Sequence, residues 1–341
     1  MPPVWQPGRV RSASADRRTP ATGHRRVART AATLATVGTA TAGAVGAAGL
    51  LAYAVWETRA FLLRTARVPV LAPGRRPLRL LHLSDLHLTP GRRLEQDWVR
   101  GLSDLGPDLV VVTGDFLGHR EAVGPVLDSL DELLDCPGAF VLGSNDYYGP
   151  TLKNPARYLL PRGQDRTRVG DRLPWRDLVR ALTDRGWVDL DNRRGTLRVG
   201  EHRVTLTGVD DPHLGYDDLD AAGGAPDPDA DLALALAHAP YLRVLDRFTA
   251  GGWPLVLAGH THGGQLRVPG HGALVTNCDL DTARARGLHR HSAGGHTAWL
   301  HVSAGLGTSP YAPVRFACRP EATLLTLESP GDGAGGSARV A

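Results

Sequence analysis

Five apolar runs in this chain stop abruptly at side chains of the kinds that bind metal ions. LLHLS is followed by Asp85-Leu86-His87, LVVVTG by Asp115, FVLGS by Asn145-Asp146, LALALA by His238, and PLVLAG by His260-Thr261-His262. Residues two apart on an extended segment point to the same side, so Asp85 with His87, and His260 with His262, can face one site together. Gly114, Gly143, Gly259, Gly263 and Gly264 stand beside them and permit tight turns and close backbone approach. A mixed carboxylate and imidazole set suits Zn, Mn or Fe, whereas Ca and Mg prefer shells of oxygen alone. Taken singly, each residue has a plainer reading. Asp85 or Asp115 would serve as a turn or cap residue, and His238 as a satisfied polar group after a strand. Their recurrence at five run ends points instead to one metal site.

The elements that must position these residues follow from the same runs. Leu78 to Ser84, Leu109 to Thr113 and Ala139 to Leu142 predict buried strands. Amphipathic helices are predicted between them, over Leu94 to Leu105 and Val123 to Leu134. The βαβαβ order implies a layered α/β domain. In such sheets ligands collect beyond the carboxyl ends of the strands, which is where the Asp, His and Asn residues fall. A Pro, Gly and Arg-rich insertion, Gly149 to Leu173, follows, then a helix over Trp175 to Arg185. Further strands are predicted at Thr196 to Val199, Val204 to Val209, Leu232 to Ala237, Leu255 to Ala258, Ala298 to Val302 and Ala322 to Leu327. The insertion's cations (Lys153, Arg157, Arg162, Arg166, Arg168, Arg172) read as a solvated loop in preference to a phosphate clamp. His82, His119, His213, His271 and His296 read as surface or structural residues. Asp210-Asp211 reads as a turn or as part of the site's rim.

Charged residues make up 22% of the 341 and hydrophobic ones 42%, as in a folded globular body. The net charge of +4 is unevenly spread. Residues 1–30 hold seven Arg and one Asp, a charge of +6, so the rest carries −2. The body is thus not basic, and a nucleic-acid partner is not expected. The three Cys, without a CxxC pair, indicate neither a disulfide framework nor a Cys-based zinc site. Residues 31–56 contain no charge, a length able to span a bilayer as a helix. Arg25, Arg26 and Arg29 precede that stretch and would stay cytoplasmic, which puts the body outside. A cleaved export signal and a buried soluble helix are the alternatives for this segment. The chain then divides into a basic tail (1–30), an anchor (31–56), a linker (57–77), a catalytic body (78–328) and a Gly, Ser and Ala-rich tail (329–341).

The succession DLH, GD, GSND, a lone His and GHTHGGQ resembles the calcineurin-like metallophosphoesterase superfamily, in particular its membrane-associated bacterial branch. The late GLGTSPYAPVRFACRPE stretch is similar to that branch as well. The resemblance implies an α/β/β/α sandwich of two mixed sheets flanked by helices, preceded here by one transmembrane helix. It implies two divalent metal ions. Asp85, His87 and His262 would hold the first, Asn145, His238 and His260 the second, and Asp115 would bridge both. Asp115, Asn145 and His262 are the residues expected to act in the chemistry itself. The implied reaction is hydrolysis of a phosphodiester or pyrophosphate by a hydroxide shared between the metals, on an envelope or lipid-linked phosphoester. One departure stands out. The family reads GNHD where this chain reads Gly143-Ser144-Asn145-Asp146, so either Ser144 or Asn145 takes the ligand position, and the usual catalytic His is absent. That departure leaves a second reading open, a metal-binding envelope sensor or scaffold without catalysis.

Overall fold

The computed structural model describes residues 45–151 and 170–331. They divide between Leu50 and Leu51 into two compact units, and the second holds the whole α/β body. Its first sheet contains β1 (Leu62–Pro69), β2 (Leu78–Leu83), β3 (Leu109–Thr113), β4 (Gly138–Val141), β5 (Val188–Asp189) and β14 (Glu321–Glu328), in the order β1-β14-β2-β3-β4-β5. The second contains β6 (Arg193–Val199), β7 (His202–Gly208), β8 (Leu232–Ala237), β9 (Leu255–Ala258), β12 (Gly287–Ala293) and β13 (His296–Val302), in the order β12-β13-β9-β8-β7-β6. Both are mixed: β2, β3 and β4 run parallel, as do β7, β8, β9 and β13, while β14 opposes β2 and β12 opposes β13. A small hairpin, β10 (Arg267–Val268) with β11 (Gly272–Ala273), stands apart.

Alternation along each strand builds the layers. In β8 the three Leu (Leu232, Leu234, Leu236) enter a core shared with Leu80, Val111 and Val141 of the facing sheet. Its three Ala point the other way, against Val244, Leu245 and Phe248 of the helix Leu242–Ala250. Small side chains on that face let the helix approach the sheet closely. In β3, Leu109 and Val111 face the inter-sheet core, whereas Val110 and Val112 lie beneath the helices Arg93–Arg100 and Val123–Leu130. A strand buried on both faces reads as a continuous apolar run, which is why these strands were foreseeable. The expected α/β/β/α layering is therefore present.

Three differences from expectation have physical reasons. The helix expected over Leu94 to Leu105 ends at Arg100 and gives way to a 3-10 turn over Gly101–Leu105, because glycine is a poor helix former. The helix expected over Val123 to Leu134 likewise ends at Leu130, before a 3-10 turn over Asp131–Asp135. The segment 57–77, expected as a linker, contains β1, which pairs in parallel with β14 along its full length. This edge strand carries Arg64 and Arg67, paired with Glu321 and Glu328, so its pattern is polar rather than apolar. The expected anchor falls on residues 31–44, outside the described residues, and on a helix over 45–57. Among the described residues no helix is long and apolar enough to cross a membrane.

Candidate metal centre

Neighbouring parallel strands β2, β3 and β4 end at Leu83, Thr113 and Val141, and β8 and β9 of the facing sheet end at Ala237 and Ala258. The side chains just beyond these ends meet. Asp85, His87, Asp115 and His262 each offer a donor atom within 4.8 Å of the others. His87 Nε2 lies 3.2 Å from His262 Nε2 and 3.4 Å from Asp115 Oδ2, and His262 Nε2 lies 3.5 Å from Asp85 Oδ1. On the other side of Asp115, Asn145 Nδ2 donates to Oδ2 at 2.7 Å and His238 Nε2 stands 3.5 Å from that same oxygen. His260 Nδ1 faces His238 Nε2 at 3.3 Å. All seven residues singled out by sequence are thus brought together. Between the two alternatives in GSND, it is Asn145 whose amide reaches Asp115; its backbone N–H also donates to Asp115 Oδ1, at 2.8 Å.

The backbone here is unusual. Asp85, His87, Asp115, His260 and His262 all have φ between 44° and 68°, in the left-handed region that non-glycine residues avoid. Turning a strand end this sharply aims its side chain back over the sheet edge. Two glycines make room. A Cβ on Gly259 would stand 1.8 Å from Ser84 Oγ and 2.6 Å from Asp85 Oδ2, and one on Gly143 would stand 2.4 Å from Asp115 Oδ1. Neither position tolerates a side chain while the carboxylates keep their places.

Surrounding groups fix the orientation of each donor. Ser84 Oγ–H donates to Asp85 Oδ2 at 2.7 Å, and the His260 N–H donates to the same carboxylate at 3.0 Å. His238 Nδ1 lies 2.7 Å from the Thr113 carbonyl, which selects the tautomer with Nε2 free toward the cluster. His260 Nε2 is 3.5 Å from the Asn277 carbonyl, leaving Nδ1 on the inner side. Asp146 accepts the N–H groups of Gly143, Asp115 and Leu117 and so pins the β3 and β4 ends to each other.

Burial dominates the electrostatics. It pushes His87 down to about 4 and holds His260 and His262 well below the usual imidazole range, so these three are neutral near pH 7. Burial would also lower His238, but the Asp115, Asp85 and Asp211 carboxylates lift it to about 9. Burial raises Asp85 to about 6. For Asp115 the burial effect is overcome by His238, His87 and the two Asn145 hydrogen bonds, which keep it well below the usual carboxylate range. The neutral imidazoles of His87, His260 and His262 beside the ionised Asp115 suit a divalent cation, whereas His238 must release its second proton before Nε2 can serve as a ligand.

Several residues outside the seven shape this site, among them Asp210 and Asp211, which the sequence reads as a turn or as part of the rim. His213, expected at the surface or in a structural role, packs its ring 4.6 Å from that of His260, with Nδ1 3.1 Å from the Tyr241 hydroxyl. Asp211 is buried beside it and accepts the His213 and Leu214 N–H groups. Asp210 accepts the Tyr147 hydroxyl. His82 is fully buried between Thr113 Oγ1 and His301, a structural role, while His119, His271 and His296 are exposed. Arg315 is buried, with one guanidinium nitrogen on the carbonyls of Ala304, Gly305 and Gly307 and 3.4 Å from His262 Nδ1. No spacing rule links Arg315 to His262 across 53 residues. Of the insertion's cations, Arg172 is exposed and the other five lie outside the described residues.

Comparison with known proteins agrees with this geometry. Residues 78–264 match the family model described as calcineurin-like phosphoesterase, more than half of the chain. The metallophosphoesterase YkoQ of Bacillus subtilis is 28% identical over 257 residues, which cover 74% of this chain and 84% of that one. Phosphodiesterase YaeI of Escherichia coli is 27% identical over 258 residues, 74% of this chain and 82% of its own. A Bos taurus protein named as a transmembrane protein with a metallophosphoesterase domain is 29% identical over 286 residues, 78% of this chain but 56% of its own. The chain belongs to the calcineurin-like phosphoesterase family and is a metal-dependent hydrolase of phosphoric esters.

Proposed function

We propose that the seven residues hold two divalent ions, Mn, Zn or Fe, and that the site hydrolyses a phosphodiester or pyrophosphate bond. Asp85, His87 and His262 form one set, Asn145, His238 and His260 the other, and Asp115 serves both. One observation carries this reading: Asp115 Oδ2 stands between the two sets, 3.4 Å from His87 Nε2, 3.5 Å from His238 Nε2 and 2.7 Å from the Asn145 amide. A half-turn of that amide presents its oxygen in place of its nitrogen, as a metal ligand needs. Two ions so held supply an acidified water and neutralise charge on the phosphoryl oxygens. The chain's own residues hold the geometry. Thr113 and Asn277 fix the His238 and His260 tautomers, and the Asn145 N–H anchors Asp115. The residue after Asn145 is Asp146, whose carboxylate already accepts three backbone N–H groups and cannot serve the leaving group. Substrates whose leaving group needs little protonation, such as aryl diesters and pyrophosphate links, are therefore favoured.

The substrate we infer is an envelope or lipid-linked phosphoester, and the body is placed outside the cytoplasm on a single N-terminal anchor. The charge-free stretch 31–56 with its upstream Arg cluster supports this, as do relatives named as transmembrane proteins. Metal analysis of purified variants tests the metal assignment. Asp115→Ala is expected to lose both ions, His87→Ala mainly one and His238→Ala mainly the other. Two tightly held ions in Asp115→Ala would overturn it.

A further inference from the structure

We propose that the edge of the body beside His262 is a membrane-docking rim that holds the mouth of the metal site against an anionic bilayer surface. Three segments form this edge. Helical residues 51–57 bring Tyr53 onto Phe316, ring centroids 5.4 Å apart and nearly perpendicular, and the Ala54 carbonyl accepts the Arg315 N–H. Phe316 is hydrogen-bonded through its backbone to Gln265 and Arg267, at the start of the β10–β11 hairpin. Gln265 Nε2 donates to the Ala312 and Val314 carbonyls and so fastens the loop that carries Tyr311. The edge begins at the site itself, since the Gln265 N–H donates to the His262 carbonyl.

Large apolar side chains crowd this edge and point outward. Tyr53, Trp56, Leu266, Val268, Leu274 and Tyr311 are each between 41% and 60% exposed. Among the described residues from Leu51 onward, Leu94 and Tyr216 are the exposed large hydrophobics away from these segments. A soluble body seldom clusters such side chains without a surface to receive them. The charges select the surface. Setting aside the buried Arg315 and Glu57, segments 51–60, 262–274 and 304–319 carry Arg59, Arg267 and Arg319 and no acid. Arg319 is fixed on the Ala60 and Phe61 carbonyls, where the chain leaves the helix. Aromatic and aliphatic side chains ringed by arginine, with no exposed carboxylate, fit the boundary between acyl chains and anionic headgroups. Tyr53 and Trp56 of this edge are also the last aromatic residues of the charge-free run 31–56, so the segment expected to enter the bilayer and the rim are continuous in sequence. A site opening at headgroup level reaches a lipid phosphoester without extracting the lipid. The inference deepens the lipid-linked reading and rests on it for the substrate, but not for the binding.

The test uses the full chain in vesicles of phosphatidylglycerol and phosphatidylethanolamine, with a trace of phospholipid bearing a photoactivatable diazirine near the headgroup. Adducts mapped by mass spectrometry are expected on Leu266, Val268, Leu274 and Tyr311 as well as upstream of Trp56. Labelling confined to residues before Leu51 would overturn the proposal. So would protein–protein crosslinks through 266–274 without lipid adducts, which would assign the face to a second copy. Replacing phosphatidylglycerol by phosphatidylcholine should cut rim labelling several-fold; equal labelling would refute the charge argument. The Leu266→Asp/Leu274→Asp double variant should lose rim labelling. It should also lose at least about tenfold in hydrolysis of a vesicle-embedded phosphodiester, since two leucines leave the apolar layer, while turnover of soluble bis(p-nitrophenyl) phosphate is unchanged. Equal losses on both substrates would overturn the docking role. Absence of soluble turnover in the unaltered protein would count against the phosphoesterase reading alone, because labelling reads the rim without activity.

Discussion

At His87 the backbone has φ of 44°, and four other members of the seven-residue cluster share that left-handed conformation. For a residue with a Cβ this conformation costs about 1–2 kcal/mol. Strain concentrated in one cluster marks a conformation maintained for what its side chains do together. It also inverts a common rule. Glycine ordinarily destabilises relative to alanine, yet at this φ only alanine is strained. Metal-free His87→Gly is therefore expected to be more stable than metal-free His87→Ala by about 1 kcal/mol, read as a difference in denaturation midpoint. The reverse order would mean that the left-handed turn relaxes once the imidazole is gone. The seven cluster residues were legible in the sequence because each follows an apolar run that ends at once in a ligand type. His213 and Arg315 were not. They reach His260 and His262 only through folding, across 47 and 53 residues, and their own neighbours in sequence are ordinary loop residues.

Legibility among the elements follows burial. β2, β3, β8 and β9 are covered on both faces and were readable to within a residue or two. The edge strands β1 and β12 were missed, as was the two-residue edge strand β5. β1 alternates arginine with small residues and salt-bridges to β14, and β12 carries His289, Arg290 and His291. Such a sequence has no apolar run to detect, and pairing alone makes it a strand. The helix Arg93–Arg100 was legible, but not what it buries. Its Glu95 is 6% exposed, and burial pushes its carboxyl up to about 7 despite Arg92 at 3.3 Å. The folded protein thus holds this proton more tightly than the unfolded chain does. Its stabilising contribution is complete below the ordinary carboxyl pKa and is lost as pH rises through about 7. Glu95→Gln, which stays neutral, should gain stability relative to the unaltered protein as pH rises from about 5 to about 8. Thermal denaturation at both values reads this directly. A constant offset between the two proteins would show that Glu95 ionises in the fold without cost.

For the molecule as a whole, the metal centre lies where two separate sheets meet. Asp85, His87, Asp115 and Asn145 follow strands of the first sheet, and His238, His260 and His262 follow strands of the second. Below the site the sheets are held by an apolar core, in which Leu80, Val111 and Val141 meet Leu206, Leu234 and Leu257. At the site they are joined by polar contacts, among them His260 N–H to Asp85 and His238 Nδ1 at the Thr113 carbonyl. Ions bound there would act as a clamp across the open end of the sandwich. Binding to the native state alone stabilises by about 4 kcal/mol at a thousandfold excess over Kd. For a body of this size that corresponds to a shift of about 10 °C in Tm. Chelation is therefore expected to lower Tm by roughly that amount. It should also raise amide exchange at the carboxyl ends of β2, β3, β8 and β9 together, while β1 and β6, each separated by one strand from the ligand-bearing strands of its sheet, stay protected. Exchange rising in one sheet alone would mean that a single sheet supplies the ligands. The shared position of Asp115 would then be a feature of the metal-free fold and not a bridge.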